Sequence, residues 1–323
     1  MPSTALITGG AGYIGALACR ELLQTGRSVR VLDRILHGQE AVATELENEG
    51  VHVIRGDVRD PAAREAALRG VDEVVHLAAI VGDPACARHP ETAARVNVEG
   101  SRALIDAARQ AGATRFVFAS TCSNYGRMVD PTVAISESAE LRPVSLYAEQ
   151  KVEIERLLLS QPRGSLSPTC LRFATVYGVA PRMRFDLTVN EFTRDLWAGR
   201  MLEVFGEQFW RPYVHVRDAA RAIRVVLDAP IDVTEREVFN VGDSRENYRK
   251  LDLVDAIRKQ IPVGNVKYVR RDEDPRDYKV SFAKINAELD FETTMTVPDG
   301  IREIAGALAA SSLGDPFDPS SRN

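Results

Sequence analysis

The stretch Thr4-Ala5-Leu6-Ile7-Thr8-Gly9-Gly10-Ala11-Gly12-Tyr13-Ile14-Gly15 constrains the fold of this 323-residue chain more than any other. An apolar run breaks into glycines and then turns helical: a buried strand, a tight turn, and a helix start whose free backbone N–H groups can receive a pyrophosphate. Each glycine has its own task. Gly9 allows the turn, Gly12 lets the backbone approach phosphate, and Gly15 lets the helix pack on the strand. The spacing is G-x-x-G-x-x-G, and a glycine loop alone fits a surface turn as well. The next twenty residues separate the two readings. A helix over Ala16–Gln24 ends near Gly26, and a second apolar strand, Ser28–Leu32, terminates in Asp33, about twenty residues past the loop, where an acid holds adenosine ribose hydroxyls.

The pattern then repeats. A helix over His37–Glu49 is followed by a strand over Val51–Gly56 that ends in Asp57-Val58, an acid placed either to meet an adenine amino group or to cap the helix Ala62–Leu68. Asp72–Ala79 reads as a fourth strand whose small last residues, Ala78 and Ala79, let a dinucleotide lie against the backbone; His76 within it reads as structural. The helix Glu91–Gln110 carries Asn97 among apolar positions, where a buried amide needs partners and ties the helix to a neighbouring strand. A fifth strand, Thr114–Thr121, ends in the hydroxyls of Ser120 and Thr121, and a sixth, Thr169–Phe173, leads into Ala174-Thr175-Val176-Tyr177-Gly178. Strands alternating with helices specify a parallel α/β sheet with its site along the carboxyl edge.

Composition narrows the function classes. A net charge of −5 with no basic block gives no footprint for nucleic acid, so an anionic substrate needs individually placed arginines. Cys19, Cys86, Cys122 and Cys170 lie far apart, without a Cys-x-x-Cys pair or a histidine cluster, which reads as reduced thiols with neither zinc site nor disulfide framework. No apolar run approaches the roughly 20 residues of a membrane span and no signal-peptide pattern is present, so the expectation is a soluble cytoplasmic protein. No repeat period or Gly/Ser linker divides the chain, so a second, smaller domain has to be interleaved with the first.

Tyr147-Ala148-Glu149-Gln150-Lys151 opens a helix running through Leu159, and residues four apart share a helix face. A phenol near pKa 10 is a poor base at neutral pH; lowering it by about three units takes roughly 4 kcal/mol of preferential stabilisation of the phenolate. The Lys151 ammonium and an oxidised nicotinamide together are suited to supply it. With Thr-Gly-Gly-Ala-Gly-Tyr-Ile-Gly, Asp33, Asp57-Val58, His76-Leu77-Ala78-Ala79, Asn97, Ser120-Thr121, Tyr147 and Lys151, the chain resembles the extended short-chain dehydrogenase/reductases, specifically the NAD-dependent nucleotide-sugar epimerase/dehydratase family.

The resemblance implies a doubly wound parallel (Rossmann) sheet over 1–172, rejoined by parts of 213–245, an interleaved α/β substrate domain over 173–310, and a mobile tail over 311–323. It implies bound NAD held by Gly9, Gly12, Tyr13, Ile14, Gly15, Asp33, Asp57, Val58, Leu77, Ala78, Ala79, Asn97, Ser120, Tyr147, Lys151 and Val176. It implies a nucleotide-diphosphate sugar held by Thr121, Ser123, Thr175, Asn190, Arg211 and Arg276, and catalysis by Thr121, Tyr147 and Lys151 without a metal. Thr175 stands where the family has Asn; Arg211 lies in Gly206–Asp218, similar to the family's Gly-x-x-x-x-Arg-x-x-x-x-Val-x-Asp; Arg276 lies in Asp274-Pro275-Arg276-Asp277-Tyr278. Taken alone, either arginine also fits a surface ion pair. The helices Ala94–Gln110 and Leu146–Leu159 imply a homodimer by resemblance and by their amphipathic pattern.

Dehydratases of the family carry Asp-Glu directly after the Thr of the Ser-Thr pair; this chain has Cys122-Ser123, which disfavours 4,6-dehydration. Cys122 is also displaced by one residue from the cysteine of related 3,5-epimerases, which on an extended segment turns it to the opposite face, so it reads as packing. The expected reaction is C4 epimerisation through a transient keto-sugar. The alternatives are a one-way NAD(P)-dependent keto-sugar reductase, for which Arg34 beside Asp33 leaves room, and a non-catalytic nucleotide- or redox-sensing binder.

Overall fold

The computed structural model describes residues 2–128, 130, 132–162, 164, 166–271 and 276–322; Pro131, Asp274 and Pro275 lie outside the described residues. In chain order the strands are β1 (Thr4–Thr8), β2 (Ser28–Asp33), β3 (His52–Arg55), β4 (Glu73–His76), β5 (Arg115–Thr121), β6 (Ser167–Phe173), β7 (Thr175–Tyr177), β8 (Met201–Phe205), β9 (Trp210–His215), β10 (Glu237–Val241), β11 (Asn247–Arg249) and β12 (Asn265–Val269). Seven of them form one sheet in the order β10-β6-β5-β4-β1-β2-β3, and every pairing in it is parallel. Side chains alternate across a strand, so β1 sends Ala5 and Ile7 to one face and Leu6 to the other. Ala5 and Ile7 join Leu22, Ile223 and Val226 in one core; Leu6 joins Leu104, Phe116 and Leu158 in a second. A sheet covered on both faces needs such near-continuous apolar strands. Strand order reverses between β1 and β4, and the crevice at the carboxyl ends opens there.

The second half interleaves with this sheet. β11, β9 and β7 form a three-stranded sheet, and β12 pairs with β8. They share a core of Tyr177, Phe185, Phe192, Tyr213, Ile257 and Ile301 with the helices Thr188–Trp197, Lys250–Gln260 and Val297–Ala309. Between these pieces the chain returns to the main sheet through β10, beside β6.

Two segments differ from what periodicity predicts. The helix expected from His37 begins at Glu40, because Ile35 (φ 53°) and Gly38 (φ 72°) turn the backbone out of helical space. The helix around Asn97 contains a π-helical stretch, Ala94–Gly100, ahead of Ser101–Gln110. The C-terminal residues lie against the second half: the Phe317 ring packs 4.8 Å from the Arg194 guanidinium of the helix Thr188–Trp197, and the Phe185 N–H ahead of that helix donates to the Ser321 carbonyl at 2.8 Å.

Candidate active site

A cleft of about 810 Å³ runs along the carboxyl edge of the main sheet, between it and the second half. Its floor is the glycine loop. Gly9 has φ +74°, and a Cβ there would sit 2.9 Å from the Ala78 nitrogen; a Cβ on Gly12 would stand 3.0 Å from the Gly9 carbonyl oxygen, and one on Gly15 would strike that same oxygen. The helix Gly15–Gln24 opens with neither a side-chain cap nor an acid in its first turn, which leaves its N–H groups to an anion.

Asp33 ends β2 as predicted. Its carboxylate accepts from the backbone N–H of Ala11 (3.1 Å) and of Ile35 (2.9 Å), and burial pushes its pKa up. Asp57 is held by Arg59 (2.7 Å) and Arg34 (3.1 Å), while the cap on the next helix falls to Asp60, whose side chain accepts from the Ala62 N–H. Both Asp57 and Val58 line the cleft. His76 is structural, bonded to Thr8 (2.7 Å) and Ser101 (2.8 Å), and burial pushes its pKa down to about 3.

Across the sheet edge stands the helix Leu146–Leu159, capped by Ser145, whose hydroxyl donates to Asp83 at 2.6 Å and accepts from the Ala148 N–H. Tyr147 and Lys151 both face the cleft. The Lys151 ammonium donates to the Ala119 carbonyl (2.7 Å) and lies 5.8 Å from the centre of the Tyr147 ring; burial pushes its pKa down to about 8. Burial pushes the Tyr147 phenol up, and the positive charge of Arg184 opposes that. The Thr121 hydroxyl accepts from the Ser123 N–H at 3.1 Å, which leaves its own hydrogen to donate into the cleft. Thr121 and Ser123 line the cleft together with Leu77, Ala78, Ala79, Thr175, Val176, Tyr13 and Ile14.

Three of the expected contact residues are bonded within the protein. Asn97 is buried and spans Ile80, accepting from its N–H (2.8 Å) and donating to its carbonyl (2.9 Å), while Gln150 accepts a third bond at 2.9 Å. It shapes the cleft wall and is not among the residues lining it. Asn190 is fully buried and accepts from the Gly178 N–H (2.9 Å), again behind the lining. Ser120 reaches the cleft, but its hydroxyl donates to Glu155 at 2.7 Å on the core side.

Arg211 and Arg276 reach the cleft from the second half. Arg211 donates to the Trp210 carbonyl (2.7 Å) and lies 5.3 Å from the centre of the Tyr278 ring; Arg276 pairs with Asp83 at 2.7 Å. Sequence reasoning assigned nothing to Asp83, Arg182 or Arg184, all of which line the cleft. A signal for the last two exists in the sequence: two arginines spaced Arg-x-Arg just after Tyr177-Gly178. Cys122 is buried, its thiol against the Arg172 carbonyl (3.2 Å) and pushed up by burial, as expected of a packing residue.

Residues 5–242 match the model of the NAD dependent epimerase/dehydratase family. The chain is 29% identical to a UDP-glucose 4-epimerase of Corynebacterium glutamicum, over 96% of each chain. It is also 29% identical to a dTDP-glucose 4,6-dehydratase of Streptomyces niveus, over 92% of this chain and 90% of that one. Its fold is similar to the crystal structure of a Thermus thermophilus UDP-glucose 4-epimerase in complex with NAD, with a TM-score of 0.83, 28% identity, and coverage of 95% of this chain and 99% of that one.

Proposed function

Since this chain belongs to the NAD dependent epimerase/dehydratase family, we propose that it is an NAD-dependent nucleotide-sugar epimerase that inverts C4 through a transient keto-sugar. The observation that carries the reading is the pairing of Tyr147 and Lys151 on one face of a helix at the cleft, beside a Thr121 that no carboxylate follows. Both activities named among the relatives begin with oxidation of the sugar; they part at the next step. Dehydration needs an acid and a base at the residues after Thr121, and here those are a buried thiol, Cys122, and a hydroxyl, Ser123.

The residues fit NAD. The glycines leave a cradle that any Cβ would fill, Ala78 and Ala79 keep the β4 end low, and Asp33 is placed for ribose hydroxyls. Arg34 is turned to Asp57, away from service to a 2′-phosphate, so NAD is preferred over NADP. Bound NAD supplies the hydride acceptor and donor. The Tyr147 oxygen takes the proton of the sugar 4-hydroxyl and later returns it; the Thr121 hydroxyl orients the same oxygen; Lys151 supports the phenolate and the cofactor ribose. Arg211 and Arg276 hold the substrate diphosphate through charge-assisted bonds.

The protein acts in the cytoplasm as a homodimer formed by the helices around Ser101–Gln110 and Leu146–Leu159, a reading supported by the amphipathic pattern of the first; light scattering at micromolar concentration tests it, and a monomer mass refutes it. Among the described residues no helix is long and apolar enough to cross a membrane. The reaction is tested by incubating purified protein with a panel of sugar nucleotides and following C4 configuration by NMR without added cofactor. Interconversion with retained NAD supports the epimerase; turnover only with added NADPH indicates the reductase, and binding without turnover the sensor.

A further inference from the structure

We propose that Arg182 and Arg184, on the loop between β7 and the helix Thr188–Trp197, form a cationic clamp for the diphosphate of the bound dinucleotide, seated on a strap made by residues 316–322. The inference rests on the NAD reading of the cleft and is independent of which sugar is turned over. The loop is stitched to the glycine floor: the Tyr13 hydroxyl donates to the Gly178 carbonyl (2.6 Å), and the Asn190 amide donates to the Tyr13 oxygen (3.1 Å) and to the Arg184 carbonyl (2.9 Å). Both arginines line the cleft, yet they are only 9% and 8% exposed. Asp186 accepts two bonds from Arg184 (3.0 and 2.5 Å), which fixes the plane of that guanidinium.

Two buried guanidinium groups side by side repel; burial, and then the charge of Arg184, push the Arg182 pKa down to about 10. Asp186 balances part of this charge, and both guanidinium groups still line the cleft, where an anion can be held between them. The uncapped, acid-free start of the helix Gly15–Gln24 lines the same cleft, and Tyr13 of the glycine loop is bonded to the base of the arginine loop at Gly178. A diphosphate is the chemistry that both the helix start and the arginines recognise. The substrate carries a diphosphate too. Arg182, however, stands within electrostatic reach of Asp33 and His37, at the ribose end of the cleft, which assigns it to the dinucleotide.

The strap supports the clamp from behind. The Phe185 N–H donates to the Ser321 carbonyl (2.8 Å), the Arg182 guanidinium donates to the Arg322 carbonyl (3.2 Å), and the Phe317 ring lies 3.4 Å from the Arg200 guanidinium. The test is the rate at which purified holoprotein releases NAD into an excess of fluorescent etheno-NAD. The variant Arg182→Met/Arg184→Met should release NAD at least tenfold faster than the parent chain, with unchanged affinity for UDP. Phe317→Ala and a chain ending at Leu313 should also release it faster. Single Lys replacements, which keep the charge and the fold, should fall between. Wild-type release from the double variant overturns the clamp, as does weakened UDP binding with NAD release unchanged, which hands the arginines to the substrate. Wild-type release from both tail variants overturns the strap. Failure of the epimerase assay leaves these release rates readable, so the two readings fail separately.

Discussion

The two walls of the cleft are made of different material. The floor against the main sheet is backbone and absence: glycines, alanines and a helix start, with Asp33 at the end of β2. The wall from the second half is side chain: Arg182, Arg184, Arg211 and Arg276, each delivered by a segment whose course depends on the interleaved chain. A wall of backbone is rigid and is damaged by adding an atom. A wall of arginines is adjustable and is damaged by removing a charge. Tyr147, Lys151 and Thr121, the proposed reacting groups, stand where the two meet, and on that proposal binding and chemistry are independently breakable.

The largest effect falls at the seam. Tyr147→Phe removes the proton acceptor and should slow turnover by about 10²–10⁴-fold while NAD and UDP still bind, read by single-turnover kinetics and calorimetry. A Tyr147→Phe enzyme that turns over at the parental rate would remove Tyr147 from the base's role. Next comes the adjustable wall: Arg211→Ala or Arg276→Ala should weaken sugar-nucleotide binding by about 2–4 kcal/mol and leave NAD content unchanged. Unchanged affinity in both would return these arginines to ion pairs such as the one Arg276 makes with Asp83. For the rigid floor the sign of the change is reversed. Gly15→Ala puts a methyl against the Gly9 carbonyl, an overpacking cost of about 1–3 kcal/mol, and should deplete co-purified NAD, measured by absorbance of the released nucleotide. Parental NAD content in that variant would break the contrast between the walls.

The smallest effect is on pH. Lys151, with its pKa pushed down to about 8 by burial, is mostly cationic at neutral pH and loses its charge as pH rises through that value. A neighbouring cation favours phenolate, so Lys151→Met should raise the Tyr147 pKa and move the lower limb of the pH–rate profile upward. A limb that stays put would leave Arg184 as the cation that matters, since its charge opposes the upward push of burial on Tyr147.

The same difference in material decides what the sequence discloses. Glycine spacing, an acid at a strand end and Tyr-x-x-x-Lys are local patterns, and local geometry follows from them; hence the floor, the parallel sheet and the seam were legible. Direction is not local. Asn190 sits on the expected helix, but its amide points back to Gly178, because that loop must be tied to the floor. Asn97 does tie its helix to neighbouring backbone, but at Ile80 in the loop past β4 and at Gln150 of the next helix, not on a strand. The π-helical stretch beneath it leaves no mark in apolar periodicity. The tail is rich in Ser, Asp and Pro, a composition that does not disclose its seat, which is made by the Phe317 ring and by carbonyls at Ser321 and Arg322 meeting residues more than a hundred positions earlier.

Behind the seam, Glu155 and Arg172 form a buried ion pair, with Ser120 bonded to the same carboxylate and the Tyr125 hydroxyl accepting from Arg172 at 2.9 Å. Glu155 lies on the helix of Tyr147 and Lys151, two turns beyond the tyrosine, or about 12 Å along the axis. Slippage of that helix by a single residue would displace Tyr147 by about 1.5 Å and rotate it about 100° away from Thr121. A carboxylate gripped at once by β5 and β6 is a detent against such motion: it indexes the helix to the strand that carries Thr121, and so holds the proposed base and its proposed orienting hydroxyl in one register.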